Sequence, residues 1–262
     1  MTFRLPARYY RAVPTSNPEG LVEEPWDLDI RRTAFVELHC WNVGCPGGPP
    51  VPEDYWVDVG SPANHAAAWA IIRDLIAPCL IAARRIGMPV IHVQPELIGN
   101  RYLDRQPPVP NEPNTAAPFG WAPISSNQSV RANRVHGEGY NDWEGWKDLD
   151  IAEPVRPEGD EPMFVTTDQL DFWLREQGID TLIYAGFCTN LCILDSPAAM
   201  RAMANRGYRC ALLREATLAV EFPETLAQRT HTEVALRYIE CWIGYTAAVN
   251  DFLAACERAA GA

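Results

Sequence analysis

A chain of 262 residues with 47% hydrophobic content is long enough to bury one large core, and its formal net charge of -12 opposes binding to nucleic acid or anionic membrane, which need clustered basic surface. Small molecules and protein partners remain. No apolar run approaches the ~18 residues of a membrane span. The opening MTFRLPARYY lacks the apolar core and small-residue cleavage site of an export signal. The expectation is a cytoplasmic protein whose eight cysteines are reduced thiols. Cys79, Cys210, Cys241 and Cys256 lie in apolar runs and are expected to act as small buried hydrophobes. Of the 22 basic residues only Lys147 is a lysine.

Residues 1–32 carry prolines, mixed charge and no sustained periodicity, which predicts an arm along the surface or a partner subunit, ahead of one domain over 33–262. Thr33 to Leu38 reads as a strand, followed at once by His39-Cys40-Trp41-Asn42 and a loop of glycines and prolines at 46–52. Ser61-Pro62 is a helix start, cap then first helical proline. Apolar residues at 69, 72, 75, 76, 80 and 83 keep helical spacing, with Pro78 expected to kink or divide the helix. Met88 to Val93 is the next strand. Residues 94–160, rich in Pro, Asn, Gly and Trp, predict an irregular insertion that serves as lid, binding wall or assembly surface.

Asp168 to Gln177 is helical and ends at Gly178. Leu182 to Ala185 reads as a buried strand, Gly186 as its tight exit, and Thr189 or Asn190 as the cap of a helix over about 191–205. Cys192 then falls in that helix's first turn, where free N–H groups and the helix dipole stabilise a thiolate and receive an oxyanion. Arg209 to Leu213 is a strand, and Pro223 to Tyr238 and Ala247 to Arg258 are helices. Strands alternating with helices specify an α/β fold, a parallel sheet covered on both faces, with ligands at the carboxyl ends of its strands. His39 and Cys192 both follow such ends.

The stretch IDTLIYAGFCTNLCILDSPAAMRAMANRGYRCALLREATLA resembles the nucleophile region of the isochorismatase-like cysteine hydrolases, the superfamily that includes nicotinamidase and N-carbamoylsarcosine amidohydrolase. FPETLAQRTHTEVALRYIECWIGYTAAVNDFL is similar to the tail of the ureidoacrylate amidohydrolase branch. The resemblance implies a single three-layer α/β/α domain with a parallel sheet of about six strands, a homo-oligomer, a small-molecule substrate and no cofactor. It also implies an Asp, Lys and Cys triad with Cys192 as nucleophile, a non-proline cis peptide between Phe187 and Cys188, and an oxyanion hole from the N–H groups of Cys188 and Cys192.

Two triad members are missing. In the register of the family's aspartate stands His39. The family's lysine follows a Gly-Asp pair, but Gly159-Asp160 leads here into Glu161-Pro162-Met163-Phe164 without one, and Lys147 lies on the wrong side of Gly159. A His–Cys pair oriented by an acid would keep a base, a nucleophile and one opposite charge. Glu37, on the same strand face as His39, and Glu161 are the candidate acids.

Other readings stay open beside this one. His39 could be a structural histidine, Cys192 a relic in a catalytically inactive homologue that binds a ligand or protein partner, and Glu37 the partner of an arginine such as Arg32. His39, Cys40 and Cys45 lack the paired short spacings of a zinc site, so no metal is expected. Trp41, Trp56, Trp121, Trp143 and Trp146 could wall an apolar pocket or simply pack.

Overall fold

The structure, a computed structural model, describes residues 2–108 and 132–261; Trp121 lies outside the described residues. Eight strands form one sheet: β1 Thr2–Arg11, β2 Gly20–Asp29, β3 Thr33–Leu38, β4 Val90–Val93, β5 Met163–Phe164, β6 Thr181–Phe187, β7 Arg209–Leu218 and β8 Tyr245–Ala247, in the order β2-β1-β8-β7-β6-β3-β4-β5. The six strands from β8 to β5 are parallel, as the alternation of elements predicts, and two more add antiparallel at one edge.

Those two are a correction. The expected arm is, over residues 2–29, a ten-by-ten β-hairpin whose first strand pairs with β8. Phe3, Leu5 and Ala7 alternate inward from β1, and Phe3 meets Phe252 edge to face at 5.6 Å. Prolines at 6 and 25 and exposed charges on alternate residues mask this period-2 signal in the sequence.

Side-chain alternation along β3 divides the core. Phe35 and Glu37 face a long helix, made of α1 Pro62–Ile71, a π-helical turn Ile72–Ile76 and α2 Ala77–Arg85, together with the last helix, α8 Val249–Ala260. Ala34, Val36 and Leu38 face the other layer, which holds α4 Thr167–Gln177, α6 Met200–Ala204 and α7 Thr230–Trp242. A short α3, Glu96–Gly99, follows β4, and α5, Cys192–Asp195, follows β6.

Ser61 caps α1, its hydroxyl accepting from Asn64 N–H, with Pro62 at the first helical position. Pro78 does perturb the helix, because its missing N–H breaks the i→i−4 ladder; the π turn lies just before it. The 24-residue run Pro62–Arg85 is long and apolar enough to cross a membrane, against the sequence expectation. Its apolar side is packed into the core beside α8 and β7, as a core helix of a folded domain would be.

Other elements match or shift. Thr166 and Gln169 form a reciprocal cap on α4, and Gly178 ends it in the left-handed conformation. The single helix expected over about 191–205 is two short ones, divided at Ser196-Pro197. The helix expected at Pro223 begins only at Thr230. Trp41, Trp56, Trp143 and Trp146 are half-buried against the α1/α8 core, which is ordinary packing.

Candidate active site

Backbone geometry past β6 makes the centre of the site. Gly186 has φ 136, and an added Cβ would sit 1.8 Å from the Leu38 carbonyl of β3, so only glycine lets the two strands close here. The next peptide, Phe187–Cys188, is cis. The turn 188–192 is pinned to the end of β7 and the residues just past it: Thr189 N–H donates to Leu218 O at 3.0 Å, the Thr189 and Thr217 hydroxyls lie 2.7 Å apart, and Asn190 Oδ1 accepts from Val220 N–H at 3.0 Å. Neither Thr189 nor Asn190 therefore caps α5; Leu191 occupies the cap position without a side-chain bond.

Cys192 opens α5 and is partly accessible. Its thiol is nevertheless pushed up, to about 11: burial dominates, while hydrogen bonds from the N–H groups of Cys188 and Cys192 to the sulfur pull the other way and the Asp58 charge adds to the rise. The expected helix-terminus thiolate is thus not the resting form, because one turn of helix supplies too little to offset desolvation.

His39 ends β3 with φ 55, a conformation rare outside glycine. Its ring is buried, stacks on Trp41 at 5.7 Å, and leaves Nδ1 without a partner among the described residues. Burial lowers its pKa to about 4, against a weaker opposing pull from Glu37, so the imidazole is neutral at pH 7.

Among the described residues no acid hydrogen-bonds His39. Glu37 instead accepts from Cys40 N–H at 2.8 Å and from Gln94 Nε2 at 3.0 and 3.2 Å, and it meets His92 Nδ1 at 2.9 Å. On the far side His92 Nε2 lies 3.0 Å from Glu161, which Arg84 holds with two bonds of 2.6 and 2.8 Å. Glu37 and Glu161, the two acids expected to orient His39, are both on His92. The reason is register: β3 and β4 pair Glu37 directly with His92, and β4 and β5 pair His92 with Met163, two residues after Glu161.

The result is a buried row of alternating charge, Glu37, His92, Glu161 and Arg84. Burial opposes charge on His92, but hydrogen bonds to Glu161 and Glu37 win and raise its pKa. Glu161, where burial is outweighed by Arg84 and His92, falls to about 2. Arg32, expected to pair with Glu37, pairs with Asp180. Lys147 is exposed and bound to Glu144, far from any triad role.

Residues 162–239 match the model of the Isochorismatase domain, the segment that runs from β5 to α7 and contains Cys192. A cysteine hydrolase from Pseudomonas syringae pv. phaseolicola 1448A superposes with a TM-score of 0.56 at 18% identity, covering 89% of this chain and 96% of that one. The fold is isochorismatase-like. An isochorismatase family protein from Burkholderia thailandensis (TM-score 0.47, 17% identity, 88% and 97% covered) and N-carbamoylsarcosine amidase from Thermoplasma acidophilum (0.43, 15%, 84% and 97%) are also similar. The domain match is confined to residues 162–239, and at 18% identity the structural likeness is one of fold.

Sequence reasoning missed three residues around this site. His92 and Gln94 share the Glu37 face through strand pairing, and the alternation within Val90–Val93 would have placed His92 inward, had a partner been sought across strands. Asp58 sits at φ 51 between the buried Val57 and Val59. Its charge reaches Cys40, Cys45, Tyr140, Cys188 and Cys192, and nothing in the local sequence signals this.

Proposed function

We propose that the chain is a cysteine hydrolase that cleaves the C–N bond of a small amide, ureido or carbamoyl compound through an acyl-enzyme on Cys192. The observation that carries this reading is a partly accessible Cys192 just past the carboxyl end of a central parallel strand, with the Cys188 and Cys192 N–H groups beside it as donors. A carbonyl oxygen placed between those donors would be polarised, and the tetrahedral oxyanion stabilised, where the sulfur attacks. His39 is the base that the sequence nominates in place of the missing aspartate. Its neutral ring with a free Nδ1 suits a group that meets substrate, while a pKa of about 4 makes it a weak acceptor for a thiol near 11.

The direct test is ammonia release from a panel of primary amides, ureido acids and carbamoyl amino acids, with Cys192→Ser as control. Turnover of one class that disappears in the serine variant is the expected result. If wild type and Cys192→Ser are equally inert across the panel, the second reading takes over: a ligand-binding homologue without turnover, which the raised thiol pKa and lowered His39 pKa favour. A homo-oligomer is part of the proposal, supported by the exposed apolar face of α7, where Val234, Tyr238 and Trp242 lie one turn apart. Sedimentation of wild type against Trp242→Glu checks it.

A further inference from the structure

The two residues that follow His39 both lead back to the Glu37 carboxylate, Cys40 directly and Trp41 through the side chain of Gln94. We propose that Gln94 is the positioning residue of His39: its amide joins Glu37 to the Trp41 indole and so fixes the aromatic plane against which the His39 ring is set. That this placement serves a reaction rests on the hydrolase reading above.

Backbone bonds hold the chain on both sides of His39 and leave its ring to be set separately. His39 N–H donates to Val93 O of β4 at 3.2 Å, Cys40 N–H to Glu37 Oε1 at 2.8 Å, and Ala152 N–H to Cys40 O at 2.8 Å. Trp41 N–H closes the turn on His39 O at 3.1 Å, over the φ of 55. The His39 ring is buried, with Nδ1 unpartnered among the described residues, and it stacks on the Trp41 ring, with centroids 5.7 Å and planes 30° apart. Trp41 thus does more than pack on the α1/α8 core. Whatever orients its indole orients the histidine.

The indole is oriented by one amide. Gln94 Oε1 accepts from Trp41 Nε1–H at 3.2 Å, and Gln94 Nε2 donates to the two Glu37 oxygens at 3.0 and 3.2 Å. The side chain starts from a fixed point, because Gln94 N–H donates to Phe164 O of β5 at 3.0 Å. Gln94 is almost wholly buried, and only one orientation of its amide works: flipped, it would set the NH2 against the indole N–H and its oxygen against a carboxylate. An apolar residue here would bond neither partner, and a glutamate would bring a second carboxylate onto Glu37. Glu37 is itself held by His92 at 2.9 Å, so one buried carboxylate grips both the backbone and, through Gln94, the ring of His39.

The test reads carbethoxylation of His39 by diethyl pyrocarbonate at about pH 6.5, located by mass spectrometry, in wild type, Gln94→Met, Trp41→Phe and the double variant. Gln94→Met nearly keeps the volume and removes both bonds, whereas Trp41→Phe keeps a ring for His39 and removes only the N–H. Each is expected to speed modification of His39 about tenfold, and the double variant no more than either alone, because both break the same link. The NMR titration of His39 should move with the rate, from about 4 toward the free value of ~6.5 as the ring gains water. His65, buried on α1 with Nε2 on Val57 O, is the internal control and should keep its wild-type rate.

A wild-type rate at His39 in either single variant overturns the proposal. So does an additive double variant, and so does His65 opening together with His39, which is general loosening rather than loss of one support. If Gln94→Met does not fold, Trp41→Phe is read by the same rate, titration and His65 control. The hydrolase reading fails separately. Where an amide is turned over, both single variants should lower kcat about tenfold with KM little changed, as displacement of a base does. No turnover in wild type with the His39 pattern as expected removes the hydrolase and leaves Gln94 in its role, and turnover indifferent to both variants while His39 is loosened removes His39 as the base.

Discussion

His39 and His92 are both buried at the ends of neighbouring strands, yet their pKa values move in opposite directions because only His92 meets carboxylates. The two should separate in an NMR titration: His39 unchanged from pH 8 to about 5, His92 taking its proton at a higher pH than a free imidazole. Their linkage to stability also differs in sign. An unfolded His39 takes a proton as pH falls through ~6.5 and the folded one does not until about 4, so His39 weakens the fold over that window on acidification. His92, raised, contributes stability that is complete below its unfolded value and is lost as pH rises through its folded one. Glu161 contributes above ~4.5, and that contribution fades as pH drops toward about 2. His92→Leu strands Glu37 as a buried charge and is expected to cost about 3 kcal/mol in urea unfolding. Recovery of full stability in that variant would mean that the row is not paired as described. From sequence, the inward face of Glu37 was readable by alternation. Its partner was not, since the pairing of β3 with β4 joins residues 55 apart.

At the level of elements, the strongest constraint is the closure of β6 on β3. Gly186→Ala forces a Cβ onto the Leu38 carbonyl, and the strands must part where Cys192 and His39 are set. The variant is expected to melt lower and to lose selective alkylation of Cys192; a wild-type melting curve would show that the strand ends are more compliant than their contact suggests. The β1–β2 hairpin depends on a different device. Arg8 Nε reaches Glu240 at 2.7 Å, where Thr246 Oγ1 also donates at 2.7 Å. Glu240 is almost wholly buried, so Arg8→Ala should cost about 2 to 3 kcal/mol, measured by thermal or urea unfolding. Thr33 to Leu38 and Leu182 to Ala185 were legible as strands because continuous apolar runs bury both faces. The hairpin and the break at Pro197 were not, the first because edge-strand charge blurs alternation and the second because Pro197 interrupts a helix that composition alone continues.

Taken as a whole, the molecule sorts its thiols by depth. Cys40, Cys45, Cys79, Cys188, Cys210 and Cys256 are buried, and Cys192 and Cys241 are partly exposed. The expectation of buried, inert cysteines therefore fits Cys79, Cys210 and Cys256, while Cys241 on α7 is half-buried. Native protein should give two thiols to Ellman's reagent and the other six only on denaturation. A native count above two would place one of the six nearer the surface than this packing allows. Burial order was beyond the sequence, where Cys241 lies in an apolar run as Cys79, Cys210 and Cys256 do.

The pairing of Arg8 with Thr246 and Glu240 has a consequence for synthesis. It spans 232 residues, and Phe3 packs on Phe252. A segment made well before its partners is therefore among the last to find its place, and Phe3, Leu5 and Trp26 must wait in solvent while the residues that cover them are made. A nascent chain of this kind presents an apolar hairpin to chaperones throughout its translation, and pulse proteolysis of arrested chains should find it protected only once β8 and α8 have emerged.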